Sequence, residues 1–243
     1  MGWLFGNKSL ADLSVLRKDI HSHLIAGIDD GAGNMEESVS LIRQMYELGY
    51  RKLIITPHVR AGSFENDTST FDSRLEEVQE VLSDLNIPIK LEVGAEQTMD
   101  EDFMYHFHNG ELKDFGRNKY VLIEFPFTNM PLNLKDTIFE LQSAGYSLIL
   151  AHPERYIYMK EEPEMIKYLH DSGILLQINI VSLIGFYGKL PQQFAKWLIK
   201  KDYVDLVGSD LHHQRHIDAI KKALSNKDFV SLVESGRLMN SMF

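Results

Sequence analysis

The stretch Asp19-Ile20-His21-Ser22-His23 reads as the end of a β-strand. Side chains two apart on a strand share a face, so both imidazoles can reach one metal ion. A lone His-x-His is weak evidence, because histidine pairs occur on surfaces by chance. Its company strengthens it: Asp30, Thr56-Pro57-His58, Gly94-Ala95-Glu96, Ile123-Glu124-Phe125, Ala151-His152-Pro153-Glu154-Arg155 and Gly208-Ser209-Asp210-Leu211-His212. Nearly all of these lie just past a short apolar run.

The runs define seven candidate strands, at Val15 to His21, Lys52 to Thr56, Ile89 to Ala95, Tyr120 to Phe125, Ser147 to Ala151, Ile174 to Asn179 and Asp205 to Ser209. Helical segments separate them. The first is capped by Asn34, carries Glu36 and Glu37 at its positive end, buries Val39, Ile42, Met45 and Leu48, and stops at Gly49. Others are predicted over Phe71 to Asp84, Leu134 to Ala144, Pro163 to Ser172, Pro191 to Lys201 and His216 to Leu224. Strand-helix alternation implies a parallel sheet. His23, His58, Glu96, Glu124, His152 and Asp210 each fall at the end of a different strand, at spacings that suit a strand and its return helix. A closed barrel brings such ends to one face, whereas an open sheet spreads them along an edge. The expectation is therefore an α/β barrel of seven strands.

A chain of 243 residues fits one large domain of this kind, and no apolar stretch is long enough to span a bilayer. Met1 to Lys8 lacks the basic start and cleavage pattern of a signal peptide, and Trp3, Leu4 and Phe5 are expected to pack on the domain or be disordered. The absence of cysteine removes disulfides, thiolate metal sites and a cysteine nucleophile, and fits a reducing cytosol. A net charge of −10 argues against general nucleic-acid affinity.

Taken in order from residue 19 to 216, these motifs resemble the polymerase and histidinol phosphatase (PHP) family of metal-dependent phosphoesterases. Within it they look most like the bacterial manganese-dependent protein-tyrosine phosphatases of capsule and exopolysaccharide clusters. Gly27-Ile28-Asp29-Asp30-Gly31, followed by Glu36-Glu37-Ser38, belongs to the same pattern. The resemblance implies a distorted, TIM-like (β/α)7 barrel as a single domain over residues 15–243, preceded by an extension, 1–14. It also implies three divalent ions, Mn²⁺ first, with Fe²⁺ or Zn²⁺ as the other options. One ion takes His21, His23, Glu96 and Asp210; a second takes Glu96, Glu124 and His152; a third takes Asp30, His58 and His212. Imidazole and carboxylate without sulfur suit all three metals.

Such a cluster suits phosphate-ester hydrolysis on chemical grounds. Adjacent cations acidify a water, hold phosphate oxygens and neutralise the leaving oxygen. Arg155 and Arg215, each three residues after a ligand histidine, are the expected anion contacts, with Arg60 as a weaker candidate. Asp19 and Asp29 are candidates for orienting ligands, as are His213 and His216, while His106, His108 and His170 read as surface residues. Phe127, Phe186 and Tyr187 lie in loops where they can stack on an aromatic ring. The stretch 62–73 reads as a flap or an ordinary solvated loop beside His58.

The implied activity is hydrolysis of phosphotyrosine without a covalent intermediate, on the tail of a bacterial tyrosine autokinase that controls polysaccharide export. The implied setting is the cytoplasm, near the inner membrane face through that kinase, with no nucleic-acid partner and no integral membrane segment. The nearest rival is a small-molecule phosphomonoesterase of the same family, such as a histidinol phosphatase. An amidohydrolase barrel usually wants a modified lysine where this chain has Glu124. A non-catalytic binding module predicts missing ligands, yet every position holds a competent side chain. A proofreading exonuclease domain is disfavoured by the acidic balance.

Overall fold

The computed structural model describes residues 9–243; Trp3, Leu4 and Phe5 lie outside them. Nine short strands alternate with eight helices among the described residues. The strands are β1 (Lys18–Asp19), β2 (Lys52–Ile55), β3 (His58–Val59), β4 (Lys90–Val93), β5 (Glu96–Thr98), β6 (Tyr120–Glu124), β7 (Ser147–Ala151), β8 (Leu175–Asn179) and β9 (Leu206–Gly208). The helices are α1 (Met35–Glu47), α2 (Phe71–Asp84), α3 (Phe103–His108), α4 (Leu134–Ser143), α5 (Pro163–Asp171), α6 (Lys189–Lys200), α7 (Gln214–Ala223) and α8 (Lys227–Glu234).

All strand pairs are parallel, in two sheets ordered β1-β2-β4 and β3-β5-β6-β7-β8-β9. The seven expected strands are present, and two short strands that were not expected, β3 and β5, follow directly on β2 and β4. Pro57, which has no N–H for a ladder, separates β2 from β3, and Gly94-Ala95 separates β4 from β5. Glu96 consequently opens β5 instead of closing the strand before it. The ring of strands is not a continuous ladder either. First and last strands meet only beyond their ends, through the bridge Ser22–Leu211 and the bonds from His23 N–H to Leu211 O (2.9 Å) and from Asp210 N–H to His21 O (2.9 Å). β1 is also shorter than expected, because Arg17 has a left-handed φ of 61° that no strand accommodates. Helices α3 and α8 were not anticipated; the former is one short turn and a half of Phe103-Met104-Tyr105-His106-Phe107-His108.

Local chemistry explains the helix that follows the first ligand loop. The Asn34 side chain accepts from Glu37 N–H (2.9 Å), Glu36 and Glu37 face the positive end, and Val39, Ile42 and Met45 are buried. Gly49 then turns the chain at φ 108°, where a Cβ would come within 2.5 Å of Ser14 N.

Two apolar layers result. The outer one lies between strands and helices, and takes in Leu13 and Leu16 from the stretch before β1. The inner one is the barrel floor, built from Ile20, Ile54, Phe115, Leu122, Ile149, Ala151 and Leu206. The C-terminal segment closes this floor from below: the Phe243 ring stands 4.6 Å from that of Tyr120, and the buried Asn240 amide bonds both the N–H and the carbonyl of Val207. Two residues further along the same inward faces the character reverses. Leu122 is followed by Glu124, and Leu175 by Gln177 and Asn179.

Candidate metal centre at the strand ends

The nine expected ligands form one connected group above the apolar floor. His21 Nε2 lies 3.2 Å from His23 Nε2, 3.3 Å from Glu96 Oε2 and 3.5 Å from Asp210 Oδ1. His23 Nε2 lies 3.4 Å from that Glu96 oxygen and 3.5 Å from that Asp210 oxygen. Asp30 Oδ1 stands 3.4 Å from His58 Nε2 and 3.3 Å from His212 Nε2. His152 Nε2 is 2.8 Å from Glu96 Oε1 and 3.7 Å from Glu124 Oε1. Except for Asp30, His58 and His212, these side chains are almost wholly buried.

Sharp backbone turns deliver two of the ligands. His152 (φ 32°) and Asp210 (φ 48°) both occupy the left-handed region just past β7 and β9, a conformation that costs a non-glycine residue about 1–3 kcal/mol. Each turn swings the side chain in toward the barrel axis.

The tautomers follow from the hydrogen bonds. The ionised Asp210 carboxylate only accepts, so the Asn179 amide donates to its Oδ2 (2.7 Å), leaving Asn179 Oδ1 to accept from Gln177 Nε2 (2.9 Å). Gln177 Oε1 is thereby fixed as the acceptor for His21 Nδ1–H at 2.8 Å. His23 Nδ1–H donates to Asp29 Oδ2 (2.8 Å), and His212 Nδ1–H to the carbonyl of Asp210 (2.9 Å). In the neutral form that binds a metal, all three imidazoles therefore hold the Nε2 lone pair aimed into the cluster. Two lone pairs at 3.2 Å, beside carboxylate oxygens, repel unless a cation lies among them. The spacing also fits one, since ligand atoms around a tetrahedral ion with bonds of about 2.1 Å stand about 3.4 Å apart. Glu96 Oε2 is buried without a well-formed hydrogen bond although His58 Nδ1 lies 2.9 Å away, a further sign of a ligand oxygen.

Three subsets can each surround an ion: His21, His23 and Glu96; His23, His58 and His212; and His58, Glu96 and Glu124. The first agrees with the grouping that the family resemblance implies; the second cuts across it by bringing His23 to His58 and His212, and the third by bringing His58 to Glu96 and Glu124. The electrostatics are those of a tightly interlocked cluster. Burial opposes charge on His21, but Glu96 and Asp210 outweigh it and raise its pKa; Asp29 does the same for His23. Glu96 and Asp210 are held well below the usual carboxylate range against their burial, chiefly by His21. Burial pushes Asp19 up to about 6, even though it accepts from Ser209 N–H (2.9 Å) and Oγ–H (2.6 Å).

The arginines behave differently from one another. Arg155 donates to Asp210 Oδ2 (3.1 Å), and its guanidinium carbon is stacked 4.7 Å from the Phe127 ring centre and 4.4 Å from that of Tyr187. Tyr187 O–H donates to the same Asp210 oxygen (3.1 Å). Arg215 is exposed in the first turn of α7. Arg60 pairs with Glu124 Oε2 through Nη2 and donates to Thr98 Oγ1 through Nε (3.2 Å), which makes it a neighbour of a ligand carboxylate. All three line one pocket of about 340 Å³ together with Phe127, Phe186 and Tyr187. His216 is buried against Phe186 (4.8 Å between ring centres), and burial pushes its pKa down to about 4. His213 lines the pocket too, whereas His106 and His108 pair with Glu111 and Glu140 and His170 faces Asp171 and Asp205, all away from the centre.

The 62–73 stretch is tied down beside His58. The Asn66 amide donates to the carbonyls of His58 (2.8 Å) and Ile28 (3.0 Å), Arg60 and Phe64 bridge, and the Phe64 ring stacks on His58 at 5.2 Å. Two functional residues escaped the motif reading altogether, Gln177 and Asn179. Their signal was present as amides at alternate positions of an otherwise apolar strand, Leu175-Leu176-Gln177-Ile178-Asn179, directly opposite the first ligands.

Comparison with known proteins places this geometry. The chain is 31% identical over 195 residues to the tyrosine-protein phosphatase YwqE of Bacillus subtilis, covering 80% of this chain and 77% of that one. It is 28% identical over 200 residues to the tyrosine-protein phosphatase CpsB of Streptococcus pneumoniae, covering 80% and 82%. Among solved structures, one described as the metal-dependent tyrosine phosphatases YwqE and CpsB superposes with a TM-score of 0.78 at 28% identity, covering 92% of this chain and 94% of the other. The histidinol phosphate phosphatase of Lactococcus lactis shares the fold alone, at 15% identity and a TM-score of 0.51 over 84% and 93%. The family model for capsular polysaccharide synthesis, CpsB/CapC, matches residues 17–226, and the chain belongs to that family.

Proposed function

We propose that this chain is a metal-dependent tyrosine phosphatase that hydrolyses phosphotyrosine on proteins, with residues 15–243 as the catalytic unit and 1–14 as an extension. The observation that carries the reading is the set of imidazole nitrogens, fixed by Gln177, Asp29 and the Asp210 carbonyl, that converge on Glu96, Asp210 and Asp30 beside a pocket walled by aromatic rings. His21, His23, Asp30, His58, Glu96, Glu124, His152, Asp210 and His212 would hold three divalent ions, Mn²⁺ ahead of Fe²⁺ or Zn²⁺. When bound, such ions supply Lewis acidity to the phosphate ester and acidify a water.

The chain's own groups do the rest. Arg155, fixed between Phe127 and Tyr187, and Arg215 at the pocket rim offer planar donors to phosphate oxygens. Arg60 contributes mainly by holding Glu124. Phe127, Phe186 and Tyr187 supply faces for the phenol ring of the substrate. The natural substrate would be the phosphorylated tail of a bacterial tyrosine autokinase controlling capsular and exopolysaccharide synthesis, met in the cytoplasm near the inner face of the membrane. No helix among the described residues is long and apolar enough to cross a membrane.

The test is turnover by metal-replete protein on phosphotyrosyl peptides, phosphoseryl peptides, histidinol phosphate and an unhindered aryl phosphate. Phosphotyrosyl peptides should show a higher kcat/KM than the phosphoseryl peptides and histidinol phosphate. Good turnover of the aryl phosphate with poor turnover of phosphotyrosyl peptides would make the enzyme a small-molecule phosphatase instead.

A further inference from the structure

Beside the metal pocket lies a larger groove of about 600 Å³, walled by Met99, Phe103, Met104, Pro126 and Leu132. Arg60 and Phe127 line both spaces, so the groove adjoins the metal pocket. Phe127 is the ridge between them: its ring stacks over His152 (6.0 Å between centres) on the metal side, and 42% of the residue remains exposed. Leu132, also on its lining, is 87% exposed.

We infer that this groove receives a large apolar side chain flanking the phosphotyrosine of a polypeptide substrate, and so selects among phosphorylated sites. The inference rests on the tyrosine-phosphatase reading above. A phosphotyrosyl ring seated beside Arg155 must lead its main chain out of the metal pocket, and passage over Phe127 enters this groove. The charged groups along it do not suit a second phosphate. Asp100 and Glu101 are acidic, with the Asp100 carboxylate already accepting from Ala61 N–H (2.8 Å), and Arg60 is engaged by Glu124. The walls suit carbon, and the two methionines adapt to side chains of differing shape, so the preference is for size and apolarity in place of one residue type.

The experiment uses metal-loaded full-length protein and phosphotyrosyl peptides with Leu, Ala or Asp on either side of the phosphotyrosine, with phenyl phosphate as a substrate that cannot reach the groove. Leu-flanked peptide should have a KM about tenfold below its Asp counterpart, as burial of a side chain of that size implies. Leu132→Asp and Met104→Asp should remove that difference while leaving kcat/KM for phenyl phosphate within twofold. Equal turnover of all flanks, untouched by either variant, would overturn the groove assignment and leave the phosphatase reading intact. A parallel loss on phenyl phosphate would also overturn it, since the residues would then be acting on the metal pocket. Hydrolysis of phenyl phosphate with none of any peptide would instead sink the tyrosine-phosphatase reading on which it rests.

Discussion

The floor and the ceiling of the barrel interior are made by the same strands, two residues apart, and obey opposite rules. At the floor, Leu122, Ile149 and Leu206 meet Ile20, Ile54 and Phe115 in an apolar cluster. At the ceiling, Glu124, Gln177, Asn179 and Asp210 meet five histidines in a layer with hardly any apolar contact among them. Floor energetics come from area removed from water, which is non-directional and tolerant of shape. Ceiling energetics come from charges and lone pairs that must each be answered, so a displaced atom leaves a buried group unsatisfied. The lesson is that the floor supplies the rigidity that lets a ceiling of mutually repelling groups stay assembled.

Five substitutions sharpen this division, beginning with the most damaging. Glu96→Ala removes the carboxylate that touches His21, His23, His58 and His152. Metal content by elemental analysis should fall, and kcat should drop on the order of 10³-fold, the worth of several kcal/mol of charge stabilisation; a variant with full metal and normal turnover would break the ceiling assignment. Leu122→Ala acts on the floor. Denaturant unfolding should register a loss of about 2–5 kcal/mol from the cavity, with metal stoichiometry unchanged in the folded fraction. If the metal went while stability stayed, the two layers would not be separable.

Arg155→Ala and Arg215→Ala should each lower kcat by about 10²-fold with metal content retained, because neither removes a ligand. Unchanged activity in both would return them to ordinary surface and ion-pair roles. The smallest effect is expected from Gln177→Leu, which breaks the chain from Asp210 through Asn179 to His21. A buried positioning amide of this kind is worth about 10- to 100-fold in metal affinity. Competition with a metal-buffering chelator reads it directly, and an affinity equal to wild type would show that His21 is oriented by packing alone.

Much of the ceiling was legible before any coordinates. The candidate ligands announce themselves because imidazoles and carboxylates just past apolar runs have few other uses in such numbers. Strand positions were legible for a related reason, since β-branched runs bounded by glycine and proline have one natural reading. Strand extent was not: pairing resumes past Pro57 and past Gly94-Ala95 in two unexpected short strands, and Arg17 ended the first strand early, because local backbone demands overrode apolar pattern. Arg60 shows the same limit at the level of a side chain. Its place two residues after His58 suggested substrate, while its fold neighbours Glu124 and Thr98 claim it.

The sequence by itself determined the residue chemistry, the strand-helix order and the family, since each depends on identity and spacing along the chain. Only the tertiary structure decided which nitrogen of each histidine faces the cluster, that Gln177 and Asn179 set the tautomer of His21, and that an apolar groove adjoins the metal pocket across Phe127. Those facts rest on hydrogen bonds and contacts between residues far apart in sequence, such as His21 and Gln177 at 156 positions' separation, and such proximity exists only once the strands have packed side by side.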